Sequence, residues 1–158
     1  MRHRLRMLMP VFVLGLAAAA RADSPAQYTH HFGLGAQFGS PTGLSGKYWI
    51  NDRLAVDGLM GWNFHDADRF QIHTDALWHF DGTHLDFTDA RIPLYAGVGA
   101  RYIPGGPSQA GIRFPLGITC LPKEMPTEFF AEVVPVAQFA PYGAIRLDGG
   151  FGVRYYFQ

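Results

Sequence analysis

The chain has 158 residues, in which 13 Lys and Arg balance 13 Asp and Glu, and a single cysteine, Cys120. One cysteine excludes an internal disulfide, so packing or a surrounding membrane must hold the fold. Four of the cations, Arg2, Arg4, Arg6 and Arg21, precede the first acidic residue, Asp23; the remainder carries nine cations against 13 carboxylates, a formal charge of −4, which argues against a nucleic-acid partner.

Residues 1–22 read as a secretory signal peptide. The basic MRHRLRMLMP is followed by VFVLGLAAAA, an apolar run of about ten residues, too short to span a bilayer. Ala20-Arg21-Ala22 then fits the small-x-small pattern of a cleavage site. Residues 23–158 remain as one domain. No later apolar run is long enough for a transmembrane helix, so entry into a membrane would be by strands.

Alternation dominates the remainder of the chain. In HFGLGAQFG, Phe32, Leu34, Ala36 and Phe38 share one parity and Gly33, Gly35, Gln37 and Gly39 the other, the period of a strand. Ser-Pro-Thr-Gly at 40–43 turns the chain. Leu44 to Ile50, Leu54 to Phe64 and Phe70 to Phe80 alternate in the same way, separated by turn signals at 51–53 and a loop at 65–69. Residues 81–92 form a longer connection, partly strand. Leu94 to Tyr102, Ile112 to Cys120, Phe129 to Phe139 and Ile145 to Phe157 complete eight strands of about ten residues, the number and length of a small closed membrane barrel. The fold expected is all-β, an eight-stranded antiparallel up-and-down transmembrane β-barrel. Pro115 and Pro135 fall inside expected strands, where each removes a ladder hydrogen bond.

One face of all eight strands is apolar and uncharged; the other carries Gly, small polar residues and charge. Aromatics gather near strand ends, as in a membrane girdle. The polar face holds Lys47, Arg101, Arg113, Arg146 and Arg154 with Asp57, Asp75, Glu132 and Asp148, besides His73 and His79. Charges inside a narrow lumen must pair. Glu132, set in the apolar run FFAEVVPVAQF, is therefore expected to face the lumen and to pair with Arg113, with Arg101 or Arg146 next in reach. Trp49, Leu59, Leu77, Tyr95, Phe130 and Tyr156 share the polar parity and are expected to plug the lumen against a wide pore.

Other chemistries find less support. His73, Asp75 and His79 share a face, but strand spacing puts the two histidines about 20 Å apart, too far for a metal site. The only serines are Ser24, Ser40, Ser45 and Ser108, and none lies two positions from a histidine. No catalytic residue, cofactor or metal is therefore assigned; a lipid A-modifying enzyme built from His65, Asp68 and Ser108 is a lesser alternative. Alternation is blind to which side is water, so a soluble periplasmic lipocalin-like ligand-binding barrel with inverted faces is the other.

The runs PLYAGVGAR, GIRFPLG, FFAEVVPV and GGFGVRYYF resemble a family of small, largely uncharacterised outer-membrane proteins of the OmpA/OmpX-like eight-stranded type. The resemblance covers most of residues 23–158. It implies a bacterial outer membrane, surrounding lipid, insertion by the barrel assembly machinery, a monomer, and no catalytic residues. The assembly signal of such proteins usually ends on a terminal aromatic, whereas Gln158 follows Phe157 here. The short loops argue against adhesion or receptor roles, leaving a structural or membrane-integrity role.

Overall fold

The computed structural model describes residues 31–63, 69–80 and 90–157. The expected signal peptide, His30, the loop residues His65 and Asp68, Phe64, Gln158 and most of the 81–92 connection lie outside the described residues.

Among the described residues ten strand segments succeed one another: β1 (Phe32–Ser40), β2 (Thr42–Trp49), β3 (Leu54–Asn63), β4 (Arg69–Phe80), β5 (Ala90–Arg91), β6 (Leu94–Ile103), β7 (Gln109–Arg113), β8 (Leu116–Pro122), β9 (Thr127–Ala140) and β10 (Ala144–Phe157). They make eight walls. β7 and β8 each lie between β6 and β9, so they are two halves of one strand parted at Phe114 and Pro115. β5 pairs with the end of β8 and is cut from β6 by Ile92 and Pro93. Every pairing is antiparallel, and β1 against β10 closes the ring. Closure removes the sheet edges that would otherwise expose backbone groups.

The continuous strand expected over 112–120 is corrected by the break at Pro115, whose ring nitrogen has no hydrogen to donate. The wall stays bonded there. Gly97 N–H donates to the Pro115 carbonyl at 2.8 Å, and Phe114 N–H donates to the Pro135 carbonyl at 2.9 Å. Pro135 itself lies within β9, and a register shift between Ala110 and Gly111 interrupts the β7–β9 ladder opposite Gln138 and Ala140.

The ring has a terminal end, with Phe32, Phe157 and the turns at 50–53 and 123–126, and a loop end. On the loop end Pro41 alone separates β1 from β2, and 104–108 and 141–143 are also short. Gly105 and Gly106 take φ of 91° and 53° in the first of these longer turns, a region that favours glycine.

Facing decides the architecture. The apolar parity points outward: Val98 and Val133 are 52% and 54% exposed, and Phe32 and Val56 are exposed with them. The buried set among the described residues contains 18 polar or charged side chains and 11 apolar ones. Water-soluble barrels face the other way, so the soluble lipocalin-like alternative does not fit. Aromatic rings pair near both ends of the outer surface. Phe38 meets Phe151 and Trp62 meets Phe70 toward the loop end; Tyr155 meets Phe157 at the terminal end, all with centroids within 6 Å.

Candidate functional site

The lumen holds two tiers of charge. In each, β-strand alternation delivers a long side chain inward and the opposite wall supplies its partner.

The lower tier, toward the terminal end, centres on Glu128. Lys47 Nζ lies 2.6 Å from Glu128 Oε1, and Thr119 and Tyr156 donate their hydroxyls to the same carboxylate. Arg154 Nη1 stands 3.5 Å from Glu128, while Arg154 Nη2 donates to Asp57 at 2.9 Å and Nε to the Ser45 hydroxyl at 2.9 Å. The Arg154 guanidinium lies 3.8 Å from the centre of the Phe130 ring, a desolvated cation–π contact. Lys47 also sits 4.4 Å from the Trp49 ring centre and 3.1 Å from His79 Nε2. Below these charges Trp49, Ala55, Leu121 and Tyr156 form a buried apolar cluster, fastened by Trp49 Nε1 donating to Tyr156 OH at 2.8 Å.

The upper tier centres on Arg113, fully buried. Arg113 Nε donates to both oxygens of Asp75 at 3.0 Å, and Nη1 to Asp148 at 3.3 Å. Asp148 also accepts from Arg101 Nη1 at 3.0 and 2.9 Å, and Arg101 Nη2 donates to Gln138 at 3.0 Å. Glu132 lies at the joint between the tiers. Its nearest partners are the Tyr95 hydroxyl, donating at 3.0 Å, Gln37 at 3.4 Å and Arg113 Nη2 at 3.5 Å.

Eight of the nine charges read from the sequence therefore lie buried in this network: Lys47, Asp57, Asp75, Arg101, Arg113, Glu132, Asp148 and Arg154. The ninth, Arg146, is exposed and is corrected. It lies on β10 beyond Ser40, the last residue of β1, so β9 flanks it on one side and no β1 residue flanks it on the other. Arg113 is a secondary partner of Glu132, not its main one. The register opposes Glu132 to Gly117 and Arg113 to Val136, so the two meet obliquely, and Arg113 spends its better bonds on Asp75.

Sequence reasoning misses Glu128. It shares the parity of Glu132 and is fully buried, but the apolar alternation that marks the strand begins only at Phe129. Trp49, Leu59, Leu77, Tyr95, Phe130 and Tyr156 are all buried, as expected of plugs, and the hydroxyls of Tyr95 and Tyr156 serve in addition as donors to carboxylates. His73 Nε2 lies 3.9 Å from Asp75 while His79 stacks between Trp49 and Tyr95, and among the described residues no three His, Cys, Asp or Glu side chains are grouped to hold a metal ion. Ser108 takes a 3.3 Å hydrogen bond from the Tyr102 hydroxyl at the loop end.

These features define a class: an eight-stranded antiparallel β-barrel with an apolar outer wall and a side-chain-filled, charge-paired interior, of the OmpA-like type of fold. Among solved structures the chain is similar to the N-terminal β-barrel domain of OprF from Pseudomonas aeruginosa, with a TM-score of 0.53 and 20% identity over 80% of this chain and 96% of that one. At that identity the likeness is one of fold. No protein-family model matches the chain, and no curated protein does.

Proposed function

We propose that the protein is a small bacterial outer-membrane barrel whose role is structural, contributing to membrane integrity, with a plugged lumen and no catalytic centre. The observation that carries this reading is the inverted facing of the walls. A continuous apolar exterior exposed to water would cost about 25 cal/mol for each Å². The same surface in lipid is at home, while the polar interior satisfies its charges internally. The two aromatic bands lie where the headgroup regions would fall. In this reading residues 1–22 direct export and are removed, the barrel assembly machinery inserts the rest, and the barrel stands as a monomer in outer-membrane lipid.

The test is fractionation followed by gels of boiled and unboiled membrane protein. Recovery in the outer-membrane fraction, with faster migration before boiling, is the expected result. Release of the protein in the periplasmic fraction would overturn the reading.

A further inference from the structure

The barrel rim is uneven. β9 and β10 each run 14 residues, whereas β1 and β2 stop at nine and eight. The β1–β10 ladder reaches only Ser40 opposite Gly149, although β10 begins five residues earlier, at Ala144. On their other side residues 144–148 are paired with β9, from Ala144 opposite Gln138 to Asp148 opposite Val134. Toward β1 they have no backbone partner among the described residues, so every second N–H and C=O of this stretch is unpaired there. The stretch is also apolar on the outside, with Ile145 and Leu147 exposed at 88% and 71%. On the lumen side Arg146 is exposed and, among the described residues, has no ion-pair or hydrogen-bond partner.

We propose that this edge, residues 144–148 of β10, docks one extended segment of a partner polypeptide whose residues alternate apolar and acidic, laid antiparallel to β10 above the turn at Pro41. Three observations select that occupant. A row of free backbone groups is matched by another strand and not by lipid tails, which offer no hydrogen bonds. The exposed pair Ile145 and Leu147 asks for apolar neighbours on the outer face. The lone cation Arg146 asks for a carboxylate on the inner one. A second copy does not serve. Two barrels inserted alike in one membrane are related by an axis along its normal, which keeps β10 running the same way in both. The strands then cross at about twice a tilt of roughly 40° and form no ladder. The inference goes beyond the structural role proposed above and borrows from it the exclusion of lipid tails and of a second copy.

The test uses the intact barrel, isotope-labelled and in lipid nanodiscs, titrated with a blocked nine-residue peptide of alternating valine and aspartate while its amide resonances are followed. Shifts centred on residues 144–148 are expected. Arg146→Glu should weaken binding tenfold or more and transfer preference to a second blocked nine-residue peptide in which lysine replaces aspartate. Two N-methylated peptides sharpen the result, one blocked at the valine amides and one at the aspartate amides. Chain direction and side-chain facing together fix which amides point at β10, so one version should lose binding and the other keep it. An unchanged spectrum up to millimolar peptide overturns the proposal, as does equal binding of both N-methylated peptides. So does exchange protection, without peptide, of those amides of 144–148 that point away from β9, whether at low protein concentration or growing with it as a second copy would require. Failure of the barrel to enter nanodiscs overturns the membrane reading instead, and the same titration then runs in plain buffer.

Discussion

The sharpest consequence of the lower tier concerns Glu128. Its carboxylate holds Lys47 at 2.6 Å and Arg154 at 3.5 Å and accepts hydrogen bonds from Thr119 and Tyr156, all in a site from which solvent is excluded. Glu128→Gln keeps the shape and removes the charge. Lys47 and half of the neutralisation of Arg154 are then left uncompensated, and breaking a buried pair by removing one partner costs about 3–5 kcal/mol. Arg154 retains Asp57, which places the expected loss toward the lower end, about 3 kcal/mol. The assay is reversible urea unfolding in lipid vesicles, followed by tryptophan fluorescence and by the gel shift between folded and unfolded forms. A double-mutant cycle separates the pair from general damage. Adding Lys47→Met to Glu128→Gln should restore at least about 1 kcal/mol, the coupling expected for groups in one network. A single-variant loss below about 1 kcal/mol, with additive effects in the double variant, would mean that water screens the lumen, and the reasoning from desolvated charge would fail.

Facing and rim give three further expected outcomes. Val98→Arg and Val133→Arg, on the outer wall away from both aromatic bands, should each lose about 2–4 kcal/mol in the same unfolding assay, whereas a charge at Tyr48 near the terminal end should itself cost roughly 0–1 kcal/mol. Gly152→Lys and Gly97→Lys should abolish the fast-migrating form on unboiled gels. A Cβ at Gly152 would lie 2.4 Å from the Ala36 carbonyl and 2.6 Å from the Phe130 ring, and one at Gly97 would lie 2.4 Å from the Ala76 carbonyl. Arg146→Ala should change unfolding free energy by less than about 0.5 kcal/mol, while Arg113→Ala, which strands Asp75, should lose about 3–5 kcal/mol.

The strand parities and the eight walls are legible because period-two alternation survives even in Gly-rich segments, and a polar parity holding both Glu132 and Arg113 already marks a common lumen. What is not legible depends on neighbours. Nothing within β10 records that β1 stops at Ser40, so in sequence Arg146 looks as well covered as Arg154. Partner choice fails for a related reason. Adjacent-strand pairing points Glu132 to Arg113, yet guanidinium groups reach across the lumen, and Arg113 finds Asp75 on β4 while Tyr95 on β6 serves Glu132. Glu128 is hidden by a strand boundary that alternation sets two residues late. Its parity with Glu132 and Gln138 is the signal that recovers it, since a carboxylate on a lumenal parity needs the same explanation wherever it stands.

The pairs that reach farthest are those that the closed ring brings together. Lys47 on β2 lies opposite Asp57 in the ladder, yet its closest carboxylate is Glu128 on β9. Arg154 on β10 bonds Asp57 on β3 and Ser45 on β2, reaching past β1 altogether. Arg101 on β6 bonds Asp148 on β10. In an open sheet these groups would be far apart in sequence and in space, and each would sit in water at little gain. Once β10 meets β1, all are brought together in a medium where charge attraction is strong and a missing partner is costly. Ladder bonds can be made at any stage of assembly, but the cross-lumen pairs are available only at closure and only in one register. A slip of one residue in any one strand would turn that strand's charges outward and its outer apolar side chains inward. The lumen therefore does for this barrel what an apolar core does for a water-soluble one: it makes one closed arrangement better than its neighbours.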